Sequence, residues 1–223
     1  MTEEEAAMQA IEVPAEMPPG LRERKKRRTR DALIRSALEL IARQGYERTT
    51  VDEIAAAADV SQRTFFRYFA GKEEVALSVQ RMVEEHFFEA VCARPAAESP
   101  LTALRTAVLA SWDTIDQAIA SVVPLELHVA TFRTVQETPQ LLAAQLRMSA
   151  ELEDRLTAEI ARREGMPADD PRPRIIVAAF GGVMREVVKR WGDLLGSDKE
   201  AFRRVTAGYL DHIGPALAEN WRS

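Results

Sequence analysis

The sequence predicts an all-α protein, and three observations carry that prediction. Wherever the chain shows a strong apolar period, the spacing is three or four residues, as on one face of a helix. Helix start and stop signals bracket several of these stretches, with Thr50 and Glu53 at one start and Gly45 and Gly165 at two ends. No stretch alternates apolar and polar residues between turn residues, as a half-buried strand would.

Taken in order, residues 1–20 hold five acids, no Lys or Arg, three prolines and Gly20, and are expected to be a disordered acidic tail. The basic run from Arg22 to Arg30 leads into an apolar face of Leu33, Ala37, Leu40 and Ile41, flanked by Ile34 and Leu38. Gly45 should stop that helix. Thr50 and Glu53 form a capping box for a short helix with Ile54, Ala55 and Ala58 inside. Asp59-Val60-Ser61 reads as a tight turn ending in an N-cap, and Gln62 to Tyr68 as a second short helix. Beyond Gly71, helices are expected over residues 72–91, 100–120, 124–135, 139–163, 174–191 and 199–218, giving about nine in all.

The chain has 223 residues, is 46% hydrophobic and 29% charged, and carries a net charge of −5. That average conceals segregation. Residues 1–20 carry −5, residues 21–72 carry 13 basic and 7 acidic residues, and the remainder carries −6. A basic module on an acidic body points to a polyanion partner. Single Cys92 excludes an internal disulfide framework, no secretory signal pattern opens the chain, and the apolar run from Ile175 to Met184 is about half a bilayer span. A cytoplasmic protein with no membrane partner is expected.

Two short helices joined by a three-residue turn suit a helix-turn-helix, in which the second helix enters the major groove. At its exposed start Gln62, Arg63 and Thr64 would meet base edges, since Gln pairs with adenine and Arg with guanine. Thr50 and Ser61, at helix N-termini, are candidate phosphate contacts as well as caps. Arg27 and Arg28, in a basic arm just before the motif, would track phosphates or enter the minor groove. The segment 45–55, with Ala58-Asp59-Val60-Ser61, Thr64-Phe65-Phe66-Arg67-Tyr68-Phe69 and Lys72-Glu73-Glu74, resembles the TetR (tetracycline-repressor-like) family over about 45 residues with its spacing intact.

The resemblance implies that residues 21–72 form a DNA-binding domain in which Arg67 is a DNA contact and Tyr68 and Lys72 hold the DNA backbone. Phe65 and Phe69 would fill its core. Two departures stand out. Phe66 replaces a common tyrosine and lacks its phosphate-binding hydroxyl, and Asp59 replaces a common glycine at the turn. The four aromatic residues from Phe65 to Phe69 are expected to be mostly core.

One helix-turn-helix reads half a site, so a homodimer is expected. The resemblance places its interface on the last two helices. There Ile175, Ile176, Ala179, Gly182, Val183 and Val187 make one stripe, Gly181 and Gly182 admit close approach, and Phe202, Val205, Tyr209 and Ile213 line the final helix. Residues 73–223 would form an effector-binding and dimerisation domain, with Phe87, Phe88, Trp112, His128, Phe132 and Arg133 as candidate ligand contacts that could equally be core. His86, His128, His212 and Cys92 lack metal-ligand spacing, Gly71-Lys72 lacks the rest of a P-loop, and no cofactor or catalysis is expected. The reading is a dimeric regulator of transcription, a repressor released from a palindromic operator by a small molecule. The alternative is a regulator that answers to a protein partner or to no effector.

Overall fold

Between Gly20 and Gly45 the chain has neither proline nor glycine, and it folds as one unbroken helix, α1 (Pro19–Gln44). The structure, a computed structural model, describes residues 19–194 and 199–218; the expected acidic tail, apart from Pro19 and Gly20, lies outside them. Those two residues open α1 instead. The basic run is therefore no separate arm: it is the first turns of α1, exposed from Leu21 to Arg28.

After α1 come α2 (Val51–Ala57), α3 (Gln62–Phe66), α4 (Lys72–Ala76), α5 (Ser78–Cys92) and α6 (Pro100–Ala120). Then follow α7 (Leu125–Glu137), α8 (Pro139–Arg163), α9 (Pro171–Leu194), α10 (Lys199–Asp211) and α11 (Ile213–Leu217). Among the described residues these eleven helices are accompanied by no strand. Two expected helices are each split once, at Leu77 (φ −92°, ψ 7°) and at His212 (φ −92°, ψ −7°), where the backbone sits in the sparse bridge region. Periodicity survives a one-residue break, so the sequence pattern could not show it.

Three apolar clusters hold the helices together. One joins Leu33, Ile34, Ala37 and Leu38 of α1 to Ile54, Phe65 and Phe69, and also to Ile115, Ile119, Val122 and Val123 at the α6–α7 corner. Arg35 of α1 caps that corner, donating from Nε and Nη2 to the Val122 carbonyl at 3.2 and 3.1 Å. A second cluster lies among α5, α6, α8, α9 and α10, and a third ties Ile41 and Tyr46 to Ala76, Leu77, Val135, Leu141 and Ala144. Trp112 packs against both of the first two.

The stripes assigned to dimerisation are largely occupied within the protomer. Val187, Phe202 and Ile213 are buried in this chain, and Ile176, Ala179 and Val183 pack on the second cluster. Gly181 faces α8, where an added Cβ would stand 2.5 Å from Glu153 Oε1, the carboxylate that also pairs with Arg185 at 2.9 Å. Ile175 and Ala178 remain exposed on the outer side of α9, with Gly182 half-buried beside them. An apolar period shows that a face is covered, not by what.

Candidate nucleic-acid interface

Hydrogen bonds between near neighbours build both short helices. The Thr50 hydroxyl accepts from Glu53 N at 3.2 Å, while Glu53 Oε2 accepts from Thr50 N at 2.9 Å, which completes the capping box. The Thr50 amide and hydroxyl, with Gln44, hold the Glu53 carboxyl below the usual carboxylate range. At the other end of α2, Val60 N reaches Ala55 O at 3.0 Å and Asp59 N reaches Ala56 O at 3.1 Å, a Schellman pair. That closure needs a left-handed residue, and Asp59 supplies it with φ 53°. Asp tolerates this conformation better than most residues do, so the turn forms without the common glycine.

Ser61 then caps α3, its Oγ accepting from Thr64 N at 3.1 Å and lying 3.0 Å from Thr64 Oγ1. The inner side of α3 is fixed by Phe65, fully buried, and by Phe69 just after it, whose ring lies 5.5 Å from the Arg30 guanidinium. The outer side carries Gln62, Arg63 and Arg67, all exposed, with Thr64 and Tyr68 half-buried and Arg67 lying 5.2 Å from the Tyr68 ring. Arg27 and Arg28 stand exposed on α1.

Two residues differ from expectation. Phe66 is not core: it is 52% exposed and lines a surface hollow with Arg63, Thr64 and Arg67. Its ring stands perpendicular to that of Phe65, with the centroids 5.5 Å apart and an interplanar angle of 89°. Lys72 is an internal strut, donating from Nζ to the carbonyls of Tyr46, Glu47 and Thr49 at 3.0, 3.3 and 3.2 Å, with its ammonium 4.3 Å from the Tyr46 ring. Its three protons are thus engaged in the free protein, and it locks α4 to the loop before α2. Nothing in the sequence marked those carbonyls as partners.

In the body, the candidate ligand contacts sit on α5, α6 and α7. Phe87 stacks on Phe180 at 5.5 Å, Trp112 meets Phe202 edge-on at 4.8 Å, and the Arg155 guanidinium covers Phe88 at 3.9 Å. His128 and Phe132 are buried, and Arg133 is exposed. None of the six lines the cleft of about 260 Å³ between α1, α5 and α8, whose walls include Arg30, Met82, Glu84, Met148 and Leu152. Sequence reasoning missed Gln80. It is 7% exposed on α5, and neither its Nε2 nor its Oε1 has a hydrogen-bond partner. Among the described residues no three His, Cys, Asp or Glu side chains are grouped to hold a metal, and no helix is long and apolar enough to cross a membrane.

A capped helix with polar residues facing outward, locked to a second short helix beneath a basic one, defines a helix-turn-helix DNA-binding protein. A family model described as bacterial regulatory proteins, tetR family, matches residues 33–79, and one described as the MftR C-terminal domain matches residues 98–212. The HTH-type transcriptional regulator TcmR of Streptomyces glaucescens is 48% identical over 205 residues, covering 92% of this chain and 91% of that protein. The chain belongs to the tetR family and is a DNA-binding transcriptional regulator. It is also similar to the HTH-type transcriptional repressor NicS of Pseudomonas putida, at 28% identity over 42% of this chain and 45% of that one. The structure of the SmeT–triclosan complex shares the fold, with a TM-score of 0.57 at 19% identity over 84% of this chain and 90% of that one.

Proposed function

We propose that the protein is a dimeric repressor that holds a palindromic operator through α3 and leaves it when a small molecule binds. The observation that carries the DNA half is the reading helix itself, whose cap and buried Phe65 fix its orientation while Gln62, Arg63 and Arg67 stay exposed. In this reading Gln62, Arg63 and Thr64 meet bases, while Arg27, Arg28, Arg67 and Tyr68 hold phosphates. Thr50 and Ser61 present their capped helix ends to the same backbone, and Lys72 ties α4 to the loop before α2. Arg63→Ala should cost about 1–3 kcal/mol on the operator and relax preference at one base pair of each half-site. Equal losses on operator and random DNA, measured by fluorescence anisotropy, would make Arg63 a phosphate contact instead.

Release by a small molecule rests on Gln80. A buried amide with no partner costs about 1–3 kcal/mol, which a ligand offering both a donor and an acceptor would recover. A thermal-shift screen, scored by loss of operator binding, tests this. A compound that releases operator from the wild type should bind the Gln80→Met variant at least several-fold more weakly, with operator affinity kept. A compound that binds both equally would place the effector elsewhere.

A further inference from the structure

The outer face of α3 carries one large apolar side chain among its cations. Phe66 lies three residues after Arg63 and four after Gln62, so it shares their side of the helix. It is 52% exposed, among the few large apolar side chains so open to solvent, and it shares a hollow with Arg63, Thr64 and Arg67.

We propose that Phe66 reads the 5-methyl group of a thymine in the major groove, within one or two base pairs of the pair read by Arg63. The inference rests on α3 being the reading helix. Positive side chains on both sides of Phe66 favour a polyanion against this surface over an apolar protein face. The ring has no donor for a phosphate. Laid on the oxygen or nitrogen edge of a base, it would strip water from acceptors and return no hydrogen bond. The one apolar group that base edges expose in the major groove is the thymine methyl. The distance follows from helix geometry: Cβ atoms three residues apart are about 5–6 Å apart, and base pairs rise about 3.4 Å. Phe66 is thus a specificity-determining residue, rather than only a tyrosine that has lost its hydroxyl.

The test begins with selection of binding sites from a randomised duplex by the wild type, followed by replacement of each thymine in the selected site with deoxyuridine. That change removes one methyl group and nothing else. At one position per half-site the wild type should lose about fourfold in affinity, the worth of one buried methyl. Phe66→Ala should show no penalty there and should select sites with that position relaxed. Phe66→Tyr, which keeps the ring, should retain the penalty. A selected site in which no deoxyuridine matters, or an equal penalty in Phe66→Ala with its melting temperature unchanged, overturns the role of Phe66 alone. Failure of the wild type to enrich any sequence overturns base reading by α3, and the role of Phe66 with it.

Discussion

Glu84 shows what burial does to a single side chain. It lies on α5 opposite α8, where the Ser149 hydroxyl donates to Oε1 at 3.0 Å. Burial pushes its carboxyl up to about 7, against smaller opposing effects from that hydrogen bond and from Arg81 and Arg155. Glu151 of α8 adds to the rise, and Glu85 of α5 and Arg30 of α1 line the same cleft. The native state therefore holds a proton that the unfolded chain releases at lower pH. Stability from this group is present below about pH 4.5 and is lost as pH climbs toward 7, by roughly 3 kcal/mol at most. Glu84→Gln, which keeps the acceptor for Ser149, should raise unfolding free energy by about 1–3 kcal/mol at pH 8 and change it little at pH 4.5. Urea denaturation at both values checks this; an equal effect at the two would mean that the carboxyl is not titrating. Arg155, meanwhile, is paired bidentately with Glu85 at 2.8 and 2.9 Å.

The basic half of α1 changes what its charge can do. In a flexible arm, Arg24, Lys25, Lys26, Arg27 and Arg28 could all find phosphates. On a helix they spread around its circumference, so that only neighbours at three or four residues, such as Arg24 with Arg27 and Arg28, face one surface. Replacing all five with Ala should therefore lower the slope of log affinity against log salt by about 2–3, not by the 4–5 of five independent contacts. A titration across salt concentrations gives the slope, and a fall of about 4–5 would mean that the helix unwinds on DNA. Other elements were plainer in the sequence. Thr50, Asp59, Ser61, Gly45 and Gly165 act through bonds to residues a few positions away, so local spacing foretold the caps and the turns. The Lys72 strut, the Glu84–Ser149 bond and the Arg35–Val122 bond join residues 23 to 87 positions apart. Local periodicity contains no term for such pairs, and the exposure of Phe66 also depended on which side of a five-residue helix Phe65 and Phe69 claimed.

At the scale of the molecule, the outer face of α9 is left uncovered within the protomer, with Ile175 and Ala178 exposed and Gly182 half-buried beside them. An added Cβ at Gly182 meets nothing nearer than Arg185 at 3.9 Å, so Gly182→Arg should fold as a protomer. If the face is shared about a two-fold axis, the variant should be monomeric and should lose operator affinity, because its two reading helices are no longer held about 34–36 Å apart. Light scattering with circular dichroism distinguishes this from misfolding, and a Gly182→Arg dimer that still binds operator would move the interface off this face. The α1 cluster bears on a different matter, the making of hybrids. Leu33, Ile34 and Phe65 share one apolar mass with Ile115, Ile119, Val122 and Val123, and Arg35 is stitched to the same corner. No single cut of the chain therefore frees an intact reading head. A graft of residues 19–76 onto another sensor would arrive with a bare apolar seam, and would need a recipient whose own corner offers matching side chains and a carbonyl for Arg35.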